Sequence, residues 1–413
     1  MKTFAIVNSA HPCTELVIDV NTIRAYLVRA GLAEVVDPAG ADLIVVSTCA
    51  FNQEYEHDAV TAIQQARERS RPGARVIVSG CFPRINPELY ARTCQFETLP
   101  PLEMEKLQEL VPSATPLASA EAHTATIREY QGNRLFMTGI RLKRLFTRLG
   151  RLVPFVKPPS WLDTVPMTDW YFVRGATGCL GSCTYCAIKR ARGNVRSVPA
   201  EVVVSRIRSA VEQGYTEISL AGDDMGCYGA DLGTDLPALL EEIVALPGEF
   251  RVNIRFVEPR WLVKHLERLM PVFRTGRLHS FCVPLQSGSQ RILDSMGRDY
   301  DIDRTVEALN SIVRTTRVSS ISSIVMVGFP GESPGDFEAS YRLLDRCDVN
   351  LYQVLKYEGR PGTRAEELDG KVPEELKERR RVRFAARMKL TKFVRLPARV
   401  AERIVALRHG PIV

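Results

Sequence analysis

Short apolar runs alternate with longer amphipathic stretches along this chain, in two separate series. The first series opens with the apolar run Thr3–Asn8, and a helix-period pattern over Val20–Ala30 follows, ending near Gly31. Asp42–Ser47 is a second apolar run, Glu54–Arg69 reads as a helix, and Arg75–Ser79 is a third run. Apolar strands alternating with helices predict a parallel sheet covered on both faces. Residues 1–125 are therefore expected to form a small open parallel α/β domain.

The second series begins near Trp170. Its predicted strands are Tyr171–Ala176, Glu217–Leu220, Arg251–Phe256, Ser280–Pro284, Ile321–Val327 and Leu351–Lys356. Predicted helices lie between them at Ala200–Glu212, Leu236–Leu246, Trp261–Met270, Arg304–Val313 and Pro334–Arg346. Six such units predict a partial (β/α)6 barrel over residues 168–370, with its site at the carboxyl ends of the strands. Between the two series, residues 126–167 form a connector. Arg134, Arg141, Lys143, Arg144, Arg148, Arg151 and Lys157 occur there, with no acid between Arg134 and Lys157. Pro154, Pro158, Pro159 and Pro166 close it as a linker. Residues 371–413 read as a basic helix and tail, with thirteen Lys or Arg against four Glu. A basic segment of this kind is a phosphate-binding surface, a solvated helix face, or a surface for a membrane or an acidic peptide.

At 413 residues the chain suits two or three domains. No apolar run approaches the roughly 18 residues of a membrane span, and the N-terminus lacks the pattern of a signal peptide. A cytoplasmic location is expected. Ten cysteines in a reducing compartment point to metal or redox chemistry and away from a disulfide framework.

The most specific signal follows the first strand of the second series. Cys179, Cys183 and Cys186 stand in a Gly-rich loop with C-x3-C-x2-C spacing. Three thiolates this close can reach three irons of one [4Fe–4S] cube and leave the fourth iron open to a cofactor. A zinc knuckle is the competing reading, but zinc normally takes four ligands and no fourth Cys or His follows nearby. Cys13, Cys49 and Cys81 each follow one of the three N-terminal strands, and strand ends of an open α/β sheet line one crevice. Taken singly, each would read as a buried core cysteine. At equivalent positions they read as a second set of cluster ligands. Cys94, Cys227, Cys282 and Cys347 have no paired spacing and read as structural.

These motifs resemble the radical S-adenosylmethionine (SAM) superfamily, including the aromatic Tyr185 before the last loop cysteine. Within it, the chain is similar to the methylthiotransferases. That similarity is carried by Ser47–Phe51, Ser79–Cys81, Ala191–Gly193, Tyr228–Asp231, Pro284–Ser289, Gly328–Glu332 and Arg360–Thr363. The resemblance implies two [4Fe–4S] clusters and SAM as cofactors. Cys179, Cys183 and Cys186 would hold the cluster that cleaves SAM to a carbon radical, and Cys13, Cys49 and Cys81 an auxiliary cluster that carries the sulfur. One SAM would donate the methyl group and a second would make the radical. Gly222 and Asp223 would contact the amino end of SAM, although a solvated turn is the plainer alternative for them. Gln286, after the fourth barrel strand, is a further candidate for SAM or substrate.

The stretches 185–193 and 228–237 look most like the branch that acts on threonylcarbamoyladenosine in tRNA. That branch carries a C-terminal TRAM domain, and no strand-rich segment of the needed length follows residue 371. Either a shortened chain or a substrate other than tRNA, such as an acidic peptide or small molecule, would account for this. The implied partners are that substrate and an electron donor such as a flavodoxin or ferredoxin. A non-catalytic iron–sulfur protein is the alternative from another class. Two independent triads predict about eight irons per chain after anaerobic reconstitution, and about half of that after Cys179, Cys183 and Cys186 are replaced by Ala. Iron analysis giving about four per chain for the unaltered protein would sink the second triad.

Overall fold

The computed structural model describes residues 1–9, 13–114, 116–117, 124–126 and 170–388. The basic run Arg134–Lys157 and the tail beyond residue 388 lie outside the described residues. Strands β1 (Thr3–Asn8), β2 (Ala33–Glu34), β3 (Leu43–Thr48), β4 (Arg75–Gly80) and β5 (Glu97–Leu99) form a parallel sheet in the order β2-β1-β3-β4-β5. The three apolar runs are its centre. Every residue of β3 is buried, as expected for a central strand covered on both faces. The outer strands β2 and β5 are too short to leave a periodic signal.

The first helix differs from its prediction. It spans Thr14–Arg29 and begins directly after Cys13, which is its N-cap. Its first turns bury Glu15 and Asp19 beside Leu16, Val17 and Ile18. Acids on a buried face break the apolar stripe that marks a helix, so the pattern showed only from Val20 onward.

Strand β6 (Thr124–Thr126) lies antiparallel to β7 (Tyr171–Arg174) at the edge of a second sheet. A two-stranded ribbon of β8 (Ala176–Thr177) and β9 (Arg196–Ser197) follows. The other barrel strands are β10 (Glu217–Ala221), β11 (Arg251–Ile254), β12 (Leu278–Cys282), β13 (Ser320–Val327) and β14 (Asn350–Lys356). From β7 to β14 six strands run parallel in the order β7-β10-β11-β12-β13-β14, which is a partial (β/α)6 barrel. The helices Ala200–Glu212 and Pro334–Arg346 fall where the periodicity puts them. Two short helices, Ile188–Arg192 and Gln290–Ser295, were not legible from it.

The two sheets share one interior. Ala187, Ile188 and Ala191, just past the cysteine loop, pack into the N-terminal core beside Ala50, Cys81 and Phe82. Val17 and Ile18 meet Phe172 and Ala221 of the barrel. Across this seam the buried Asp19 accepts hydrogen bonds from Arg174 at 2.7 Å and Arg192 at 3.0 Å. Arg360 of the Arg-Pro-Gly-Thr stretch donates to the carbonyl of Ala50 at 3.0 Å and pairs with Glu56, tying the barrel to the loop after Cys49.

The basic C-terminal segment is helical over residues 374–388. Here Arg380 pairs with the buried Glu332, Arg381 with Glu378, Arg383 with Glu338 and Arg387 with Asp345. The guanidiniums of Arg383 and Arg387 also sit 4.6 and 4.4 Å from the Tyr341 ring centre, a cation–π arrangement. Arg383 and Arg387 dock the helix on Pro334–Arg346 and Arg380 ties it to Glu332 just before, while Arg381 pairs within the helix, so these charges serve intramolecular contacts. No described helix is long and apolar enough to cross a membrane.

The Asp19 node gives a stability prediction. Asp19→Ala leaves two buried guanidiniums without their shared carboxylate and should cost about 3–5 kcal/mol. Asp345→Ala, at an exposed pair, should cost at most about 1 kcal/mol. Anaerobic urea unfolding followed by tryptophan fluorescence compares them; equal midpoints would refute the central role of Asp19.

Candidate active site

The carboxyl ends of β1, β3 and β4 lead into Cys13, Cys49 and Cys81. Cys13 caps the helix Thr14–Arg29, Cys81 caps the short helix Phe82–Ile85, and Cys49 follows β3 directly. Gly80 lets the last turn close. Its φ is +102°, and a Cβ there would lie 2.1 Å from the Thr48 carbonyl oxygen. Hydrogen bonding from Cys49, helped by the charge of Arg192, brings the Cys13 thiol down to about 6 despite its burial. The same contact and burial push Cys49 well up, and burial, against the charge of Arg192, pushes Cys81 up to about 12. Beside them, the buried hydroxyls of Ser9, Ser47 and Ser79 have no hydrogen-bond partner among the described residues. Ser47 and Ser79 are neighbours across β3 and β4, each two residues before a cysteine.

The second triad lies on the loop after β8. Gly178, at φ +75°, lets this loop fold onto the turn at Arg192–Asn194, since a Cβ there would meet the Asn194 carbonyl oxygen at 2.3 Å. The loop is pinned from several sides. Thr184 donates to the carbonyls of Met296 and Ser295, Ala365 N–H donates to Thr184, and Arg364 donates to Ser182 at 2.5 Å. The sulfurs of Cys179 and Cys183 lie 3.6 and 3.7 Å from the point a Cβ would occupy on Gly181, with a Glu258 carboxylate oxygen at 3.8 Å. Arg298 donates to the Cys183 sulfur at 3.6 Å and to the Pro284 carbonyl at 2.8 Å. Burial pushes the Cys179 thiol up to about 12, and burial with the charge of Cys183 pushes Cys186 up to about 11. Tyr185 packs edge-on against Phe329, 6.4 Å between ring centres.

The remaining candidates occupy the strand ends around this loop. Gly222 is a packing position: a Cβ there would meet the Met225 sulfur at 2.7 Å. Asp223 accepts from the Gly178 N–H at 2.7 Å and stands 3.7 Å from Arg192. It therefore braces the cysteine loop and is not the solvated turn that sequence left open. Gln286 is the one described residue other than glycine with positive φ, at 63°, and its buried side-chain oxygen has no partner among the described residues. A bulky residue held in that conformation marks stored strain of the kind found at functional sites. Cys227 donates to the Asp224 carbonyl at 3.2 Å beneath the loop.

Several residues here carried no role in the sequence. Arg192, Asp19, Arg174, Glu258 and Arg298 are each at most 7% exposed. The legible sign was chemical: Asp19 interrupts an apolar helix start and Arg174 ends a buried strand, and buried charges exist only in pairs. The partners, however, lie on another domain.

The Radical SAM superfamily model matches residues 173–344, and the model described as Uncharacterized protein family UPF0004 matches residues 7–98. The probable threonylcarbamoyladenosine tRNA methylthiotransferase of Pyrococcus abyssi is 30% identical over 404 residues, 96% of this chain and 87% of that protein. The threonylcarbamoyladenosine tRNA methylthiotransferase of Aquifex aeolicus is 30% identical over 368 residues, 88% of this chain and 82% of that one. Among solved structures, the radical SAM methyltransferase TsrM of Kitasatospora setae covers 89% of this chain and 75% of its own at TM-score 0.57, with 15% identity, a likeness of fold alone. Similarity that runs through both cysteine-bearing domains and nearly the whole length makes this chain a member of the radical SAM methylthiotransferase family, an enzyme that transfers a methylthio group.

Proposed function

We propose that this enzyme inserts a methylthio group into an unactivated C–H bond of threonylcarbamoyladenosine in tRNA. Cys179, Cys183 and Cys186 hold the [4Fe–4S] cluster that engages SAM, and Cys13, Cys49 and Cys81 hold the auxiliary cluster. The observation that carries this reading is the pair of cysteine triads, Cys49 and Cys81 buried and the other four half-buried, joined by the contacts Asp19–Arg192–Asp223–Gly178.

The side chains fit such groups. Among the described residues no three of His, Cys, Asp and Glu are close enough to grip a single metal ion. A cube differs, because each iron takes its own thiolate and the sulfurs stand apart. At Gly181 a Cβ would stand in contact with the Cys179 and Cys183 sulfurs, at 3.6 and 3.7 Å, so the glycine leaves the space beside these two ligands free. The orphaned hydroxyls of Ser9, Ser47 and Ser79 would find acceptors in the thiolates and sulfides of an auxiliary cluster. When bound, the clusters supply the electron that cleaves SAM and the sulfur that is transferred. The protein contributes burial and charge. Arg298 offsets the negative charge of a Cys183 thiolate, and the interior around Gln286, Asp224 and Glu258 excludes water from the reacting atoms. Asp223, Gly222, Tyr185 and Gln286 border the place where SAM would sit.

Support for tRNA comes from the names of the relatives; the described basic helix, being paired internally, adds nothing to it. Anaerobic turnover with SAM, reductant and tRNA bearing threonylcarbamoyladenosine should yield S-adenosylhomocysteine, 5′-deoxyadenosine and a methylthiolated nucleoside by mass spectrometry. Replacing Cys13, Cys49 and Cys81 by Ala should spare 5′-deoxyadenosine and abolish the nucleoside product. SAM cleavage with the tRNA left unmodified would remove this substrate and put an acidic peptide or small molecule in its place.

A further inference from the structure

Arg192 is the largest fully buried side chain, 2% exposed. A guanidinium in such a place is costly unless every donor is engaged, because desolvation of a charge exceeds what one contact returns. Its Nη2 donates to Asp19 at 3.0 Å and its Nε lies 3.7 Å from Asp223. Its Nη1 has no hydrogen-bond partner among the described residues and is itself removed from solvent. Asp19 is further shared with Arg174, which the Glu15 carboxylate also approaches at 3.4 Å. The carboxylates at hand engage Nη2 and Nε and leave Nη1 without an acceptor among the described residues.

The surroundings say what would answer it. Arg192 ends the helix Ile188–Arg192, whose Ala187 and Ala191 pack in the same core as Cys81. Asp19 and Cys13 lie on one helix and at its cap. The carboxylates of Asp19 and Asp223 outweigh burial and hold the Arg192 guanidinium firmly protonated. Asp223, by contrast, stands on the side of the radical loop, where it holds the Gly178 N–H.

We propose that Arg192 Nη1 is the anion-holding donor of the auxiliary site, fixing the sulfur anion, sulfide or alkylthiolate, that the Cys13–Cys49–Cys81 cluster carries, on the side that faces the radical loop. This rests on the two-cluster reading above. Arg192 acts as a positioning residue and enters no bond-making step. Arginine suits the task because its fork can grip Asp19 with one nitrogen and a second anion with another, whereas a lysine presents one point charge. A guanidinium contact to an anionic sulfur in a dry interior also raises the cluster's reduction potential, by stabilising negative charge more in the reduced state.

The test uses the full chain with Cys179→Ala, Cys183→Ala and Cys186→Ala, so that only the auxiliary cluster gives a reduced EPR signal. Sodium methanethiolate is titrated as the probe in this background and with Arg192→Lys or Arg192→Gln added. Iron content and thermal melting are recorded for each. Arg192→Gln should weaken methanethiolate capture about tenfold or more, the worth of a charge-assisted hydrogen bond, and lower the midpoint potential. Arg192→Lys should keep most of the potential and fall between in affinity. A merely structural tie to Asp19 would change melting and leave thiolate affinity alone, and that result at full iron loading overturns the proposal. If Arg192→Gln loads no iron, Arg192→Lys decides, and an affinity equal to that of Arg192 overturns it. Failure of the Arg192 protein itself to load iron or to respond to methanethiolate strikes the two-cluster reading, and the inference falls with it.

Discussion

The structure turns on one carboxylate. Asp19 lies inside the first helix, buried, and accepts from Arg174 at the end of β7 and Arg192 at the end of the helix that follows the radical loop. Burial alone would raise its carboxyl; the two guanidinium charges outweigh it and hold it below the usual carboxylate range. Arg174 also lies 3.4 Å from Glu15 on the same helix and Arg192 3.7 Å from Asp223, and the two domains meet in the register that brings these groups together. A buried ion node of this kind adds little net stability compared with apolar packing, but it penalises every misdocked arrangement heavily. In this protein it sets the distance between two cysteine-bearing loops.

The rest of the interface follows that register. Apolar contacts of Val17 and Ile18 with Phe172 and Ala221 supply the non-directional part of the attraction. Arg360 adds a second directional tie at the loop after Cys49. Gly193 completes the fit, since a side chain there would strike Leu102 of the N-terminal domain at 2.8 Å. Stretches that read in the sequence only as marks of resemblance, Ala191–Gly193 and Arg360–Thr363, thus have a common physical task. They hold one catalytic half against the other.

Charge is handled differently at the surface and in the interior. The helix over residues 374–388 carries many arginines, yet Arg380, Arg383 and Arg387 pair with carboxylates of the barrel and lie on aromatic rings. Composition reports such a segment as basic; geometry reports it as a docking element. Beside the cysteine loops the arrangement is reversed. Glu15 is pushed up to about 7 by burial although Arg174 stands 3.4 Å away, and Asp224 to about 6 by burial and Glu258; the Glu15 oxygens and Asp224 Oδ2 have no hydrogen-bond partner among the described residues. Buried polar atoms without a hydrogen bond are rare in folded proteins and concentrate at functional sites.

Sequence alone determined the central strands, the long helices, their order and the spacing of the six cysteines, because these are local properties. Strand and helix follow from periodicity over a few residues, and C-x3-C-x2-C spacing forces three thiols into one loop. It also indicated that Cys13, Cys49 and Cys81 stand at equivalent strand ends, since a parallel sheet brings such ends to one edge. Only tertiary structure decided which side chains surround them. Asp19, Arg174 and Arg192 are separated by up to 173 residues and gain meaning only when their domains meet. The strained backbone of Gln286 and the bracing role of Asp223 were equally hidden, for a β-bridge to Val325 and a contact across the loop are long-range facts. Local pattern is written residue by residue, whereas the neutralisation of buried charge is settled by what arrives from elsewhere in the chain.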